Sequence, residues 1–129
     1  MRARRDLAWL LVGSTAIAAG ASHSETGVRS GNDLIRDCKA AITLADSPKL
    51  GEDYSRPMYC LGFTSGMSDG LRFGRLACMK GEESHEQIAR VVVKFLEDHP
   101  ERLAEPESLL ALEAITGAWP CSKSNQKFE

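Results

Sequence analysis

The sequence predicts an all-α fold, a small four-helix domain stapled by two disulfides and preceded by a cleaved signal peptide. Three features carry that expectation. Apolar residues recur three and four positions apart in four separate stretches, the spacing that puts them on one side of a helix. Between those stretches stand Pro48, Gly51, Gly81, Pro100 and Pro106, residue types that end helices or start them. All four cysteines, Cys38, Cys60, Cys78 and Cys121, lie beyond a leader of export type, which delivers a chain to an oxidising compartment where bridges form.

In that leader, Arg2, Arg4 and Arg5 precede an apolar run over 7–20, and Ala19-Gly20-Ala21 has the small-residue spacing of a signal-peptidase site. Residues 1–21 are therefore expected to be removed, leaving a periplasmic protein. The apolar run is short of the roughly 20 residues that a membrane span needs, which argues against an uncleaved anchor. Of the 16 basic and 18 acidic residues, three arginines and Asp6 fall in the leader, so 13 and 17 remain and the mature chain carries a formal net charge of −4. That mild acidity argues against nucleic acid, whose binders show a basic face, and against an anionic membrane surface. A protein partner is left open.

Residues 22–31 are small and polar and read as a flexible leader, with the ordered domain spanning 32–121 and a loose tail over 122–129. Asn32 is a good N-cap for a first helix over 33–45, built on Leu34, Ile35, Cys38, Ala41 and Ile42. A loop over 46–54 reverses the chain into a second helix over 56–76. Ser84, with Gln87 three positions on, resembles a capping box and opens a third helix over 85–98, where Ile88, Val92, Phe95 and Leu96 share a side. The run Val91-Val92-Val93 favours a strand by propensity, but its neighbours' spacing favours helix. Pro106 suits the first turn of a fourth helix over 106–118, with Leu109, Leu112, Ile115 and Trp119 along one stripe.

The second helix has an unusual pattern at a four-residue step. Gly62, Gly66, Gly70 and Gly74 form a bare row beside a ridge of Tyr59, Phe63, Met67 and Leu71. Each interior glycine costs a helix about 1 kcal/mol against alanine, so close packing with a partner helix or a second subunit is the expected compensation. The alternative is fraying near Gly70.

Little here supports catalysis. Cys60 sits among apolar helix neighbours, and the chain's three histidines, His23, His85 and His99, include none near it in sequence. No CxxC pair exists, the acidic residues do not have the spacing of a calcium loop, and no cofactor or metal is expected. The charged, proline-stiffened turn Glu97-Asp98-His99-Pro100-Glu101-Arg102 can present side chains to a partner, and arginine is enriched among strong interface contacts, so Arg102 leads that set.

Four motifs, in order, carry a resemblance: Tyr59-Cys60-x-Gly62-Phe63-x-x-Gly66; Cys78 with Gln87 and Val91-Val92-Val93-Lys94-Phe95-Leu96; His99-Pro100-Glu101; and Ala118-Trp119-Pro120-Cys121. The chain resembles, over about 58–121, the Rap/Tai immunity proteins, which neutralise amidase effectors of the type VI secretion system. The resemblance implies a periplasmic all-helical protein, usually a homodimer, that occludes the cleft of a peptidoglycan-cleaving cysteine amidase and is not itself an enzyme. Met79-Lys80-Gly81 and Arg102-Leu103-Ala104-Glu105 depart from the family's usual loops, where a proline and a histidine are common. A small periplasmic binding or chaperone-like helical protein without an effector partner is the alternative reading.

Four cysteines allow three pairings. If the first two helices form an antiparallel hairpin, Cys38 and Cys60 face each other, and Cys78 and Cys121 are left at the ends of helices two and four.

Overall fold

The structure, a computed structural model, describes residues 27–122. The expected signal peptide, the first part of the expected leader and the tail beyond Ser122 lie outside the described residues. Four helices follow one another, α1 (Gly31–Asp46), α2 (Ser55–Phe73), α3 (His85–Asp98) and α4 (Glu107–Ala118), with a 3-10 turn at Pro100–Arg102 between the last two. No β-strand occurs among the described residues.

Local chemistry explains the helix starts. Ser84 Oγ accepts the Gln87 N–H at 3.1 Å, so α3 begins where the sequence places it, and Val92 and Val93 are buried in helix rather than strand. Tertiary burial of a continuous apolar side overrides the β-propensity of that run. At α1 the cap is Ser30 instead of Asn32, because Asp33 Oδ2 accepts both the Ser30 N–H (3.1 Å) and its hydroxyl (3.0 Å). Asn32 instead donates its side-chain amide to the Leu103 carbonyl at 3.0 Å. Ser30 and Gly31, which the sequence assigns to the leader, are held against the segment 103–106. Gly31 N–H reaches Glu105 O (3.0 Å), and Ser30 pairs with Pro106 in an isolated antiparallel bridge.

α2 stops at Phe73, three residues before its expected end. The Leu76 N–H returns to Leu71 O at 2.8 Å and the Arg75 N–H to Arg72 O at 3.1 Å, the double closure that ends helices through a left-handed residue. Arg75 is that residue, at φ 57°.

Both bridges pair as the hairpin argument expects, Cys38 with Cys60 (Cα–Cα 5.0 Å) and Cys78 with Cys121 (4.9 Å). α2 and α4 run side by side in one direction, since Tyr59 near the start of one reaches Glu107 at the start of the other and the second bridge ties the segments just past their ends. Leu34 of α1, Val92 and Leu96 of α3, and Leu110 and Ile115 of α4 close over the buried Cys38–Cys60 sulfurs. Burial of each such aliphatic side chain contributes about 1.5 to 3 kcal/mol.

Two faces differ from the sequence expectation. The inward row of α2 is Cys60, Thr64, Ser68 and Leu71, so of the expected ridge only Leu71 is in the core while Tyr59, Phe63 and Met67 are half-buried. Small polar residues are tolerated there because each hydroxyl is satisfied by its own helix: Thr64 donates to Cys60 O and Ser68 to Ser65 O, both at 2.8 Å. On α4 the packed side is Leu110, Ala111, Ala114 and Ile115, and the expected stripe members Leu109 and Leu112 are exposed. α4 is apolar almost all round, so spacing alone leaves its orientation undetermined.

Candidate interaction surfaces

Three places stand out, and the last two hold the residues that the sequence marks. The first is a cluster assembled from distant parts of the chain. Arg29 donates from Nη2 to Asp37 of α1 (2.5 Å) and from Nε to Glu107 of α4 (3.1 Å), and its guanidinium lies 3.9 Å over the Tyr59 ring of α2. Tyr59 donates its hydroxyl to the other oxygen of Glu107, and Arg36 Nε donates to Asp37 at 2.9 Å. Burial pushes the Tyr59 phenol up to about 12, helped by its hydrogen bond to Glu107. For Arg29, burial acts to lower the pKa, but the hydrogen bonds to Asp37 and Glu107 outweigh it and the value rises. Asp37 and Glu107 are only 2% and 6% exposed, so their charges are accommodated by these partners. Sequence spacing gives no hint of this cluster, since Arg29 and Glu107 stand 78 residues apart.

The second is the turn after α3. Arg102 forms a double fork, reaching Glu105 with Nε (2.9 Å) and Nη2 (2.7 Å) and Glu113 with Nη1 (2.5 Å) and Nη2 (3.0 Å). The hydrogen bonds to Glu105 and Glu113 raise the Arg102 pKa, and the same bonds hold both carboxylates below their usual range. His99 caps α3, donating from Nδ1 to Phe95 O at 2.8 Å with the two rings 4.3 Å apart. Glu97 pairs with Lys39 of α1 (2.8 Å) and Asp98 with Lys94 (2.9 Å). Pro100 and Glu101 form the exposed tip, and the Glu101 carboxylate has no partner among the described residues. Of the five candidate contact residues, His99 and Arg102 are thus held in the fold, while Glu97 and Asp98 make solvent-exposed ion pairs.

The third is the glycine row. Gly62, Gly66 and Gly70 face outward, and a Cβ added to any of them would meet nothing within 4 Å. Among the described residues no helix packs against them, so of the two expected coverings a partner helix is not found there. Phe63 stacks on Tyr59 at 5.8 Å and Met67 leans on the core beside it.

Cys60 is bridged and fully buried, so its sulfur is not available as a thiolate, and no cysteine is free. Among the described residues no cluster of histidine, cysteine and carboxylates could hold a metal ion, and no helix is long and apolar enough to cross a membrane. A family model described as Rap1a immunity proteins matches residues 30–121. No curated protein and no solved structure matches the chain.

Proposed function

The chain belongs to the Rap1a immunity protein family, which makes it an immunity protein against a secreted effector, and from that premise we propose that the effector is a peptidoglycan-cleaving cysteine amidase of a type VI secretion system, bound and blocked in the periplasm. The family match over 30–121 is the observation that carries this reading. Two disulfides suit an oxidising compartment, and an inhibitor that occludes a cleft needs a stiff projecting segment and no chemistry of its own.

The turn 97–102 has that character. Its tip, Pro100 and Glu101, projects from a base fixed by His99 on Phe95 and by Arg102 between Glu105 and Glu113, so little ordering cost attends its entry into a cleft. In this reading Glu101 touches the effector, Glu97 and Asp98 flank it, and His99 and Arg102 hold the turn in shape. A second copy of the chain covers the outward side of α2 along Gly62, Gly66 and Gly70, bordered by Tyr59, Phe63 and Met67, giving a homodimer. Light scattering at tens of micromolar reads that directly, and a monomer there would remove the dimer from the reading.

The deciding experiment exports an amidase effector to the periplasm together with this protein and counts surviving cells. Survival is expected with the wild-type chain and loss of survival with Glu101→Arg, whose exposed position leaves folding untouched. Lysis despite abundant folded wild-type protein would sink the immunity reading against that class of effector. Arg102→Ala is the less informative variant, because it releases two carboxylates of the fold as well as any contact.

A further inference from the structure

Past the ends of α2 and α4 lies an open cleft of about 420 Å³, lined by Arg72, Arg75, Ala77, Cys78, Met79 and Cys121. We propose that this cleft is a docking site for an acidic segment of a partner protein, with a glutamate or aspartate side chain seated between the guanidiniums of Arg72 and Arg75. It lies beyond the far end of α4 from the turn 97–102, roughly 18 Å away for a helix of that length. The proposal does not rest on the amidase reading.

Five observations point to this occupant. Two guanidiniums and no carboxylate line the cleft, in a chain that carries 18 acidic and 16 basic residues. Arg72 is held only by a 3.3 Å contact to Asp69 and by the Phe73 ring 5.4 Å from its guanidinium, and the Arg75 side chain has no partner among the described residues. A guanidinium's planar fork matches a carboxylate, and a pair left open in a cleft favours an incoming anion. The half-buried Met79 supplies apolar surface beside the charges, which suits a side chain flanked by aliphatic neighbours rather than a bare inorganic ion.

The backbone carries the fourth observation. Arg75 occupies the left-handed position that closes α2, at φ 57°, a conformation that side-chain-bearing residues disfavour. The glycine that would occupy it without strain stands one position earlier, where Gly74 has an ordinary φ of −74°. Helix termination alone calls for the opposite order. Strain retained at an arginine whose side chain borders a cleft is what a binding role for that side chain leaves behind.

Finally, the site is stiff. The Cys78–Cys121 bridge forms part of its wall, and the Cys78 N–H donates to Trp119 O at 2.9 Å, so the segments after α2 and α4 are locked together. A ligand therefore meets a site that needs little ordering.

The test titrates ¹⁵N-labelled, disulfide-bonded protein with the acetylated, amidated peptide Leu-Asp-Leu-Glu-Asp-Leu and with its Asn/Gln counterpart, following amide shifts. Expected are shifts centred on Arg72, Arg75, Cys78 and Met79 with a dissociation constant below about 1 mM, weakened at least tenfold in the Asn/Gln peptide and by raising salt from about 50 to 500 mM. Arg75→Gly should bind at least tenfold more weakly while its melting temperature stays at or above the wild-type value, since glycine relieves the strain. Arg72→Gln supplies a second variant with the same expected loss of binding. No shifts at these residues at several millimolar peptide, equal binding of the Asn/Gln peptide, or full binding by Arg75→Gly would overturn the proposal.

Discussion

Across the α1–α3 seam, charges meet in pairs: Lys39 with Glu97 at 2.8 Å and Asp46 with Arg90 at 2.6 Å, with Glu86 sharing the same arginine and Lys94 held by Asp98. The outward positions of α2 and α4 show another pattern. There Met58, Phe73, Leu109 and Leu112 are 53%, 79%, 42% and 37% exposed, the glycine row lies between the first two, and Asp69 is the acidic residue among them. Salt-laced helices gain little stability from such pairs but are well solvated. Exposed leucines and phenylalanine beside bare backbone are poorly solvated and closely approachable, which is the basis for proposing a covering partner on the α2–α4 side.

Arg29 joins the two sides, since it reaches Asp37 of α1 and Glu107 of α4 at once. The largest expected effect is therefore from Arg29→Met, which leaves Asp37 with Arg36 alone and Glu107 with Tyr59 alone, both carboxylates being nearly buried. Losing one partner of a buried pair costs about 3 to 5 kcal/mol, and because the Arg29 side chain is itself a third exposed, the expectation here is ~2 kcal/mol in urea unfolding. A change under ~0.5 kcal/mol would mean that the two sides are held together without it.

Next in size, and of opposite sign, is the double change Gly62→Ala and Gly66→Ala. With nothing within 4 Å of either new Cβ, helix propensity alone should add about 1 to 2 kcal/mol to a single copy. If a second copy packs on that row, the same variant should lose its dimer in light scattering. A loss of stability at concentrations where only monomer exists would show that the row is covered from within, against the geometry described here.

The Tyr59 cluster adds a pH signature. Its phenol is pushed up from 10 to about 12, so the native state holds its proton more firmly than the unfolded chain does. The resulting stabilisation is present in full below pH 10 and disappears as pH rises toward 12. Tyr59→Phe should flatten that part of the stability curve, and an unchanged slope would count against the cluster's role.

The smallest effect belongs to the salted seam. Arg90→Ala removes contacts to Glu86 and Asp46 that are open to water, so the melting temperature should move by no more than about 2 °C, and less in high salt. A large, salt-insensitive drop would make that seam a structural element rather than a solvated one.

The limits of α3 and its Ser84 cap, the four helices and both disulfide pairings were legible in the sequence, as were the motifs that place the chain in its family. The helices and the cap depend on residues a few positions apart, and the pairings on where each cysteine falls along helices taken to form a hairpin. The four-residue step in α2 was legible too, but not which of its rows turns inward. Cys60 held the clue, because its bridge to Cys38 commits the row Cys60, Thr64 and Ser68 to the core and sends the glycines outward. On α4, apolar residues on nearly every side left the choice to packing against α2 and α3. Arg102 looked like a free surface arginine until Glu105 and Glu113 were seen on either side of it. Arg29, in a stretch without apolar periodicity, became a tie between helices only when the fold brought Asp37, Tyr59 and Glu107 around it. Short-range spacing fixes helices and caps; the orientation of a helix without a single apolar side, and the partners of a long charged side chain, follow only from what distant segments place beside them.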